Sequence, residues 1–252
     1  MSAPLLVVQN LSKNYDGLLA VDCVSINFQT MEVHAIIGPN GAGKTTLINL
    51  LSGDLLPSLG RITFKDRNLT DMPSFAISQL GIGRSYQKTN IFPDFTCWQN
   101  CWLGAQSRLS TSMRFFKSAK NYAKIHQQTE QALALCGLEK HTDNLASEIS
   151  YGEQRQLEIS MMLATEPELL LLDEPLGGMG TSETQKMIKL IKQLARDRTI
   201  ILIEHDMDAV FALADTLTVM VNGKVLATGT PDEIRKSQDV QNAYLGTEEE
   251  NK

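Results

Sequence analysis

The chain has 252 residues, and its 29 acidic side chains exceed its 23 basic ones, which gives a formal net charge of −6. This negative balance argues against a protein that binds nucleic acid by neutralising phosphates along a duplex. The four scattered cysteines do not form a disulfide framework, and no apolar run approaches the roughly 18 residues that a membrane span needs. We therefore expect a cytoplasmic chain whose contact with a membrane, if any, is peripheral.

The first predicted elements are strands over residues 5–28, joined by a turn at Asp16-Gly17. Apolar and polar residues alternate from 24 to 28, as in a sheet with one solvated face. Later apolar runs are continuous, which is typical of parallel strands covered on both faces; these are residues 33–37, 169–172 and 200–203. Helical patterns lie between them, so the sequence predicts an α/β core with a mainly parallel sheet.

Two further regions complete the predicted organisation. Residues 217–221 and 224–227 flank Asn222-Gly223, which suits a type I′ turn and predicts a hairpin. The stretch from about 88 to 163 has helical character and no strong strand, so we expect a helical lobe inserted into the sheet domain. No linker is long enough to separate two domains, and residues 1–252 are expected to form one domain.

A glycine-rich segment follows the first buried strand and opens a helix, and it matches the pattern G-x-x-x-x-G-K-[ST]. Glycines let the backbone wrap closely around phosphates, and the helix N-terminus supplies free N–H groups. Lys44 is expected to reach the β- and γ-phosphates, and the Thr45 hydroxyl to bind Mg²⁺. The sequence thus predicts a nucleoside triphosphate site formed by Gly38, Pro39, Asn40, Gly41, Ala42, Gly43, Lys44, Thr45 and Thr46.

Two acidic residues follow the second buried strand. Asp173 is expected to hold Mg²⁺ through water, and Glu174 to polarise an attacking water as general base. Because side chains alternate along a strand, Glu174 is expected to point away from Asp173. On their own, two such acids indicate a solvated strand end, and the phosphate loop favours the functional interpretation. The clusters after the three buried strands, including residues 204–206, are predicted to converge on one crevice.

A more specific pattern is the segment Ile149-Ser150-Tyr151-Gly152-Glu153-Gln154. It resembles the signature motif of ATP-binding cassette (ABC) transporter ATPases, and that family's motifs occur in order across the chain. The resemblance implies an α/β ATPase core with an antiparallel β lobe and a helical lobe, which binds ATP and Mg²⁺. It also implies a composite site, in which ATP joins the phosphate loop of one subunit to Ser150, Gly152 and Gln154 of another.

The same resemblance gives roles to three further residues, which their surroundings in the sequence alone would not suggest. Tyr15 corresponds to the aromatic residue that stacks on adenine, and Gln87 to the Q-loop glutamine, a metal ligand with a catalytic role. His205 corresponds to the catalytic switch histidine. Without the family context, these residues would be interpreted as a turn aromatic, a polar loop residue and a buried structural histidine.

The signature segment departs from the common family pattern, and it has a second interpretation. Tyr151 stands where glycine is usual, and Gly180 stands where many relatives carry an aspartate that couples the two sites. Importers of branched-chain amino acids or urea often have a similar signature and lack that aspartate. Independently, Ser150 and Glu153 form a capping box, which would stabilise a helix start by about 1 kcal/mol without any ligand.

The resemblance implies an ATP-hydrolysing subunit of an importer for branched-chain or related hydrophobic amino acids. A homodimer, or a heterodimer with a paralogous ATPase, is expected to move transmembrane permease subunits at the inner face of the cell membrane. A substrate-binding protein would be an indirect partner, and no nucleic acid is expected. A urea or short-amide importer, a lipopolysaccharide-type exporter and a soluble ABC ATPase acting on nucleic acid remain alternatives. A basic stretch between 104 and 129 could face anionic lipid or be a solvated helical face.

Overall fold

The computed structural model describes residues 3–108 and 119–242, and the side chains of 119–122 are not described. Most of the basic stretch between 104 and 129 and the chain after residue 242 therefore lie outside the described residues. The strands are β1 (Leu6–Tyr15), β2 (Leu18–Phe28), β3 (Val33–Ile37), β4 (Leu59–Phe64), β5 (Arg67–Asn68), β6 (Ile82–Arg84), β7 (Leu169–Asp173), β8 (Thr199–Ile203), β9 (Thr216–Val221) and β10 (Lys224–Gly229). The helices are α1 (Lys44–Leu51), α2 (Ser74–Gln79), α3 (Cys97–Ser107), α4 (Ala119–Leu135), α5 (Tyr151–Leu163), α6 (Thr181–Leu194), α7 (Met207–Leu213) and α8 (Pro231–Lys236).

The core sheet has the strand order β10-β9-β3-β8-β7-β6, in which β10 is antiparallel to its neighbour and the other pairings are parallel. Every residue of β3, β7 and β8 is buried, as their continuous apolar runs predicted. Alternate side chains of these strands enter two separate hydrophobic cores, so the sheet is covered on both faces. The carboxyl ends of β3, β7 and β8 consequently share one edge of the sheet.

A second, antiparallel sheet has the order β2-β1-β4-β5 and lies over α1. The turn between β1 and β2 is at Asp16 and Gly17, as predicted, and both have positive φ, 46° and 105°. The backbone N–H of Gly17 donates to Asn14 Oδ1 at 2.8 Å and closes this turn. The turn between β9 and β10 is likewise at Asn222 and Gly223, with φ of 48° and 78°. Both hairpin predictions are confirmed.

Helices α3, α4 and α5 pack against one another within the larger core, in the region where a helical lobe was expected. The Trp98 and Trp102 rings stack with centroids 6.1 Å apart on one side of α3. On its buried side, burial raises the pKa of Cys97 to about 11 and that of Cys101 to about 12. Both residues are therefore neutral thiols that fill the core. Among the described helices, none is long and apolar enough to cross a membrane.

Candidate active site

The phosphate loop connects β3 to α1, and α1 begins at Lys44 with Gly43 as its N-cap residue. No side chain of the described residues caps this helix, so its first N–H groups are available to an anion. The Lys44 ammonium donates to the carbonyls of Gly38 (2.7 Å) and Pro39 (2.9 Å). These two bonds hold the ammonium group against the loop that is predicted to bind the phosphates.

Two glycines of the loop lie against backbone of neighbouring strands. A Cβ atom at Gly38 would overlap the carbonyl oxygen of Met220 in β9, and one at Gly43 would overlap that of Ala20 in β2. Gly41 has no neighbouring atom within 4 Å of an added Cβ, and its φ is 78°. The loop is therefore fitted between the core sheet and the antiparallel sheet.

Asp173 ends β7 and is almost fully buried, with 2% of its surface exposed. Burial raises its pKa, and the nearby Arg84 guanidinium partly offsets this effect. Its Oδ1 atom has no hydrogen-bond partner among the described residues. An unpartnered, buried carboxylate oxygen is a ready ligand for a cation, and the Thr45 hydroxyl and Gln87 amide would add further oxygen ligands. An all-oxygen set is what Mg²⁺ prefers, so these residues fit the predicted metal.

Burial lowers the pKa of Lys44, and the charges of Glu174 and Asp173 oppose this shift. The three side chains therefore share one electrostatic environment at the carboxyl edge of the sheet. A cation stabilised by two carboxylates and aimed at the loop favours the binding of a polyanion with its own metal ion.

Glu174 lies just outside β7, with φ of 49°, in the left-handed region that non-glycine residues seldom adopt. Its N–H donates to the Ile203 carbonyl at 2.9 Å, which fixes this turn to the end of β8. Strand alternation therefore does not extend to Glu174, which lies beyond the end of β7, and a side chain that points away from Asp173 stays a prediction. Gln87 Nε2 donates to Glu174 Oε2 at 3.1 Å, so the structure brings the predicted base and the Q-loop glutamine together.

His205 follows β8, and 71% of its side chain is exposed. The interpretation as a buried structural histidine is therefore wrong, and the ring is accessible from solvent, with its Nδ1 atom 3.9 Å from Glu204 Oε2. The preceding Glu204 is buried, and its carboxylate accepts from the N–H of Leu176 (2.7 Å) and of His205 (3.2 Å). Burial raises the pKa of Glu204. Sequence analysis placed Glu204 only in the polar cluster 204–206 and missed its two backbone hydrogen bonds, although a charged residue at the end of an all-apolar strand was the available signal.

The loop that carries Gln87 is held by two buried charged residues of α5. Arg155 donates to the carbonyls of Tyr86 (2.6 Å) and Gln87, and Glu158 Oε1 accepts from the Tyr86 N–H at 3.1 Å. The two side chains also pair with each other at 3.1 Å. Sequence reasoning missed this pair, whose signal was an i, i+3 spacing of opposite charges on a buried helix.

The signature segment forms the predicted capping box at the start of α5. Ser150 Oγ accepts from the Glu153 N–H at 3.3 Å, and the Glu153 carboxylate accepts from the Ser150 N–H at 2.8 Å. The Gln154 amide donates to the Ala146 carbonyl at 3.0 Å, so it supports its own loop. Tyr151 packs on Gly178, where an added Cβ atom would be 3.2 Å from the ring. The unusual tyrosine of the signature therefore contacts the loop that follows Glu174.

Tyr15 lies at the end of β1 with 42% of its surface exposed. The Lys13 ammonium is 5.2 Å from the centroid of its ring. The ring is thus accessible for stacking, as the predicted adenine contact requires.

A phosphate loop, a buried metal-type carboxylate and a glutamate with an adjacent glutamine, gathered at the carboxyl edge of a mainly parallel sheet, define a P-loop nucleoside triphosphatase. Family models agree with this class. Residues 21–177 match the family described as ABC transporter. Residues 224–250 match the family described as branched-chain amino acid ATP-binding cassette transporter.

Full-length relatives agree with the family models. The chain is 40% identical, over 98% of its length and 99% of the relative's, to the high-affinity branched-chain amino acid transport ATP-binding protein LivG of Salmonella typhimurium. A solved ATP-binding cassette of an ABC transporter superposes with a TM-score of 0.84 at 27% identity, covering 96% and 99% of the two chains. A cassette described as dimeric and bound to ADP and Pi shares the fold, with a TM-score of 0.77 at 21% identity, covering 90% and 98%.

The chain belongs to the ABC transporter family, as an ATP-binding protein of the LivG-type branched-chain amino acid subfamily. The predicted fold class, an ABC ATPase with a mainly parallel core sheet, an antiparallel sheet and helices, is confirmed.

Proposed function

We propose that this ATPase subunit of a branched-chain amino acid importer hydrolyses ATP in composite sites between two chains, and that the closing of this dimer drives separate permease subunits. The observation that carries the proposal is the cluster of Lys44, Asp173, Glu174 and Gln87 at one edge of the sheet. The cargo assignment is supported by the full-length similarity to LivG.

We infer a separate task for each side chain of the cluster. Lys44 neutralises the β- and γ-phosphates as it leaves the loop carbonyls. Bound Mg²⁺ would be held by Thr45, Asp173 and Gln87 and would offset further phosphate charge. Gln87 donates to Glu174 through its amide nitrogen, which leaves the amide oxygen free for the metal.

Glu174 then takes the proton of the attacking water, and a base in this role contributes roughly 10²–10⁴-fold in rate. The exposed His205 ring follows β8 at the same edge of the sheet and would contact the γ-phosphate. Tyr15 would stack on the adenine ring, because its own ring is exposed and aromatic rings stack favourably.

The dimer follows from the distribution of anion-binding groups. Each chain carries one phosphate loop, before α1, and one signature segment, before α5. A two-fold pairing that sets the loop of one chain against the signature of its partner would complete two equivalent sites. A cassette of the same fold is described as dimeric. The pairing could join two copies of this chain or this chain and a paralogue.

Permease contact is supported by exposed aromatic side chains, of which Tyr86 directly precedes Gln87. Phe75, Tyr86, Phe92 and Phe95 are exposed by 38% to 68%, and the rings of Phe92 and Phe95 stack 5.4 Å apart. Exposed aromatic groups of this kind mark interaction sites. We place the chain, as one ATPase domain, at the inner face of the cell membrane, with the substrate-binding protein as an indirect partner.

The test is reconstitution of the chain with its neighbouring membrane subunits in lipid vesicles. Leucine-loaded binding protein is expected to stimulate ATP hydrolysis, and leucine uptake into the vesicles should accompany this hydrolysis. Stimulation by urea or short amides alone would move the cargo to the nearest alternative. Stimulation of the isolated chain by nucleic acid would favour the soluble ABC ATPase.

A further inference from the structure

The signature segment makes a second contact within its own chain, with the first turn of α6. The third residue of α6 is Glu183, and Ser150 Oγ donates to Glu183 Oε1 at 3.1 Å. Gly152 lies directly against the same carboxyl group, because a Cβ atom added there would be 2.7 Å from Glu183 Oε1. A carboxylate therefore covers two of the signature residues that the proposed composite site assigns to a phosphate.

The single proton of the Ser150 hydroxyl makes this contact exclusive. The hydroxyl oxygen already accepts from the Glu153 N–H at 3.3 Å, and its proton goes to Glu183. An ionised γ-phosphate is an acceptor only, so it needs the same proton. Ser150 can donate to the phosphate only after its bond to Glu183 is broken.

Charge opposes the phosphate at the same place. A carboxylate and a phosphate repel each other over a few ångströms, a distance at which salt screens little. Glu183 also has an anchor that is independent of Ser150, because its Oε2 atom accepts from the Gly180 N–H at 3.3 Å. The side chain can therefore release Ser150 while it still caps α6.

We propose that Glu183 is a positioning residue of the composite ATP site, which holds the Ser150 hydroxyl in the resting chain and thereby sets the ATP concentration at which two chains close. This role rests on the composite site of the proposed function. Gly180, the N-cap residue of α6, has no side chain and donates only its backbone N–H to Glu183. With glycine rather than aspartate at 180, the carboxylate that contacts Ser150 comes from Glu183 in the first turn of α6.

The substitution Glu183→Gln tests the charge alone, because glutamine keeps the length of the side chain and its ability to cap α6. It is combined with Glu174→Gln, which is expected to trap ATP-bound dimers. Analytical ultracentrifugation measures the ATP concentration for half-maximal dimerisation. This concentration should fall about threefold to tenfold, since one Ser150–Glu183 contact breaks in each of the two chains of a dimer. With Glu174 intact, the KM for ATP should fall by a similar factor while kcat changes about twofold at most.

The matched control is Glu233→Gln, which makes the same change in the capping box of α8. Glu233 accepts from the Thr230 N–H at 2.7 Å and makes no contact with the signature. It should leave dimerisation and KM unchanged. A purely structural effect on α6 would instead lower kcat and the melting temperature.

Two results separate this inference from the proposed function. An unchanged or raised half-maximal ATP concentration in Glu183→Gln, with the parent still dimerising, would overturn the role of Glu183. Failure of the Glu174→Gln parent to dimerise while it binds ATP would overturn the composite site itself, and the role of Glu183 with it.

Discussion

Replacement of Arg155 by methionine removes the buried guanidinium that links α5 to the loop carrying Gln87. Three acceptors lose their donor: the carbonyls of Tyr86 and Gln87, and the Glu158 carboxylate. Breaking a buried ion pair from one side typically costs 3–5 kcal/mol, because the remaining charge is left unpaired. We therefore expect the free energy of unfolding of Arg155→Met to fall by about 3–5 kcal/mol.

Neutralising Glu158 as well isolates the contribution of the unpaired carboxylate. In Arg155→Met/Glu158→Gln both charges are absent, and the amide can still bond to the loop. The double variant is therefore expected to regain about 1–3 kcal/mol relative to Arg155→Met, which follows from the cost of an unpaired buried carboxylate. Urea denaturation followed by circular dichroism measures all variants, including Glu158→Gln alone, in one thermodynamic cycle.

The pH dependence gives an independent check on the same pair. Burial raises the pKa of Glu158, and Arg155 is one of the groups that offset this. Without Arg155 the folded-state pKa should rise further above the unfolded value, so the folded variant binds the extra proton. The free energy of unfolding of Arg155→Met should then fall as the pH rises from the unfolded-state pKa of Glu158 to its folded-state pKa. The stability lost relative to the wild type should therefore be larger at pH 8 than at pH 5. A loss of unfolding free energy below about 1 kcal/mol, or one that is independent of pH, would refute the conclusion that Arg155 and Glu158 stabilise the fold as a buried ion pair.

Two further substitutions test the catalytic cluster and the signature. Glu174→Gln should lower kcat by roughly 10²–10⁴-fold while ATP binding persists, because it removes the base and keeps the shape; wild-type turnover would exclude Glu174 as the base. Ser150→Arg should abolish ATP-dependent dimerisation and hydrolysis but leave nucleotide binding by the monomer, as measured by calorimetry. If Ser150 were only a helix cap, the same change would cost about 1 kcal/mol of stability and spare hydrolysis.

The sequence predicted the parts of the molecule whose signals are local. The phosphate loop, the capping box at Ser150 and the Asn222-Gly223 hairpin each depend on residues within a few positions of one another. The buried strands β3, β7 and β8 were equally visible, since a parallel sheet covered on both faces needs uninterrupted apolar runs.

The features that sequence reasoning missed depend on contacts between distant segments. Arg155 reaches carbonyls 68 and 69 positions earlier in the chain, and Glu204 accepts from an N–H 28 positions earlier. The left-handed φ of Glu174 has a similar origin, because its N–H is fixed to the end of β8. Propensity and periodicity carry no information about such pairings, which the tertiary fold imposes.

The two glycines that press against neighbouring strands change how the phosphate loop is to be understood. Gly38 and Gly43 have no room for a Cβ atom whether or not a nucleotide is present, because strand carbonyls stand behind them. Loss of ATP binding after substitution at either position would therefore report a displaced loop rather than a lost phosphate contact. In this chain the two glycines let the loop pack closely against both sheets. The sheets therefore fix the shape of the loop before a nucleotide binds.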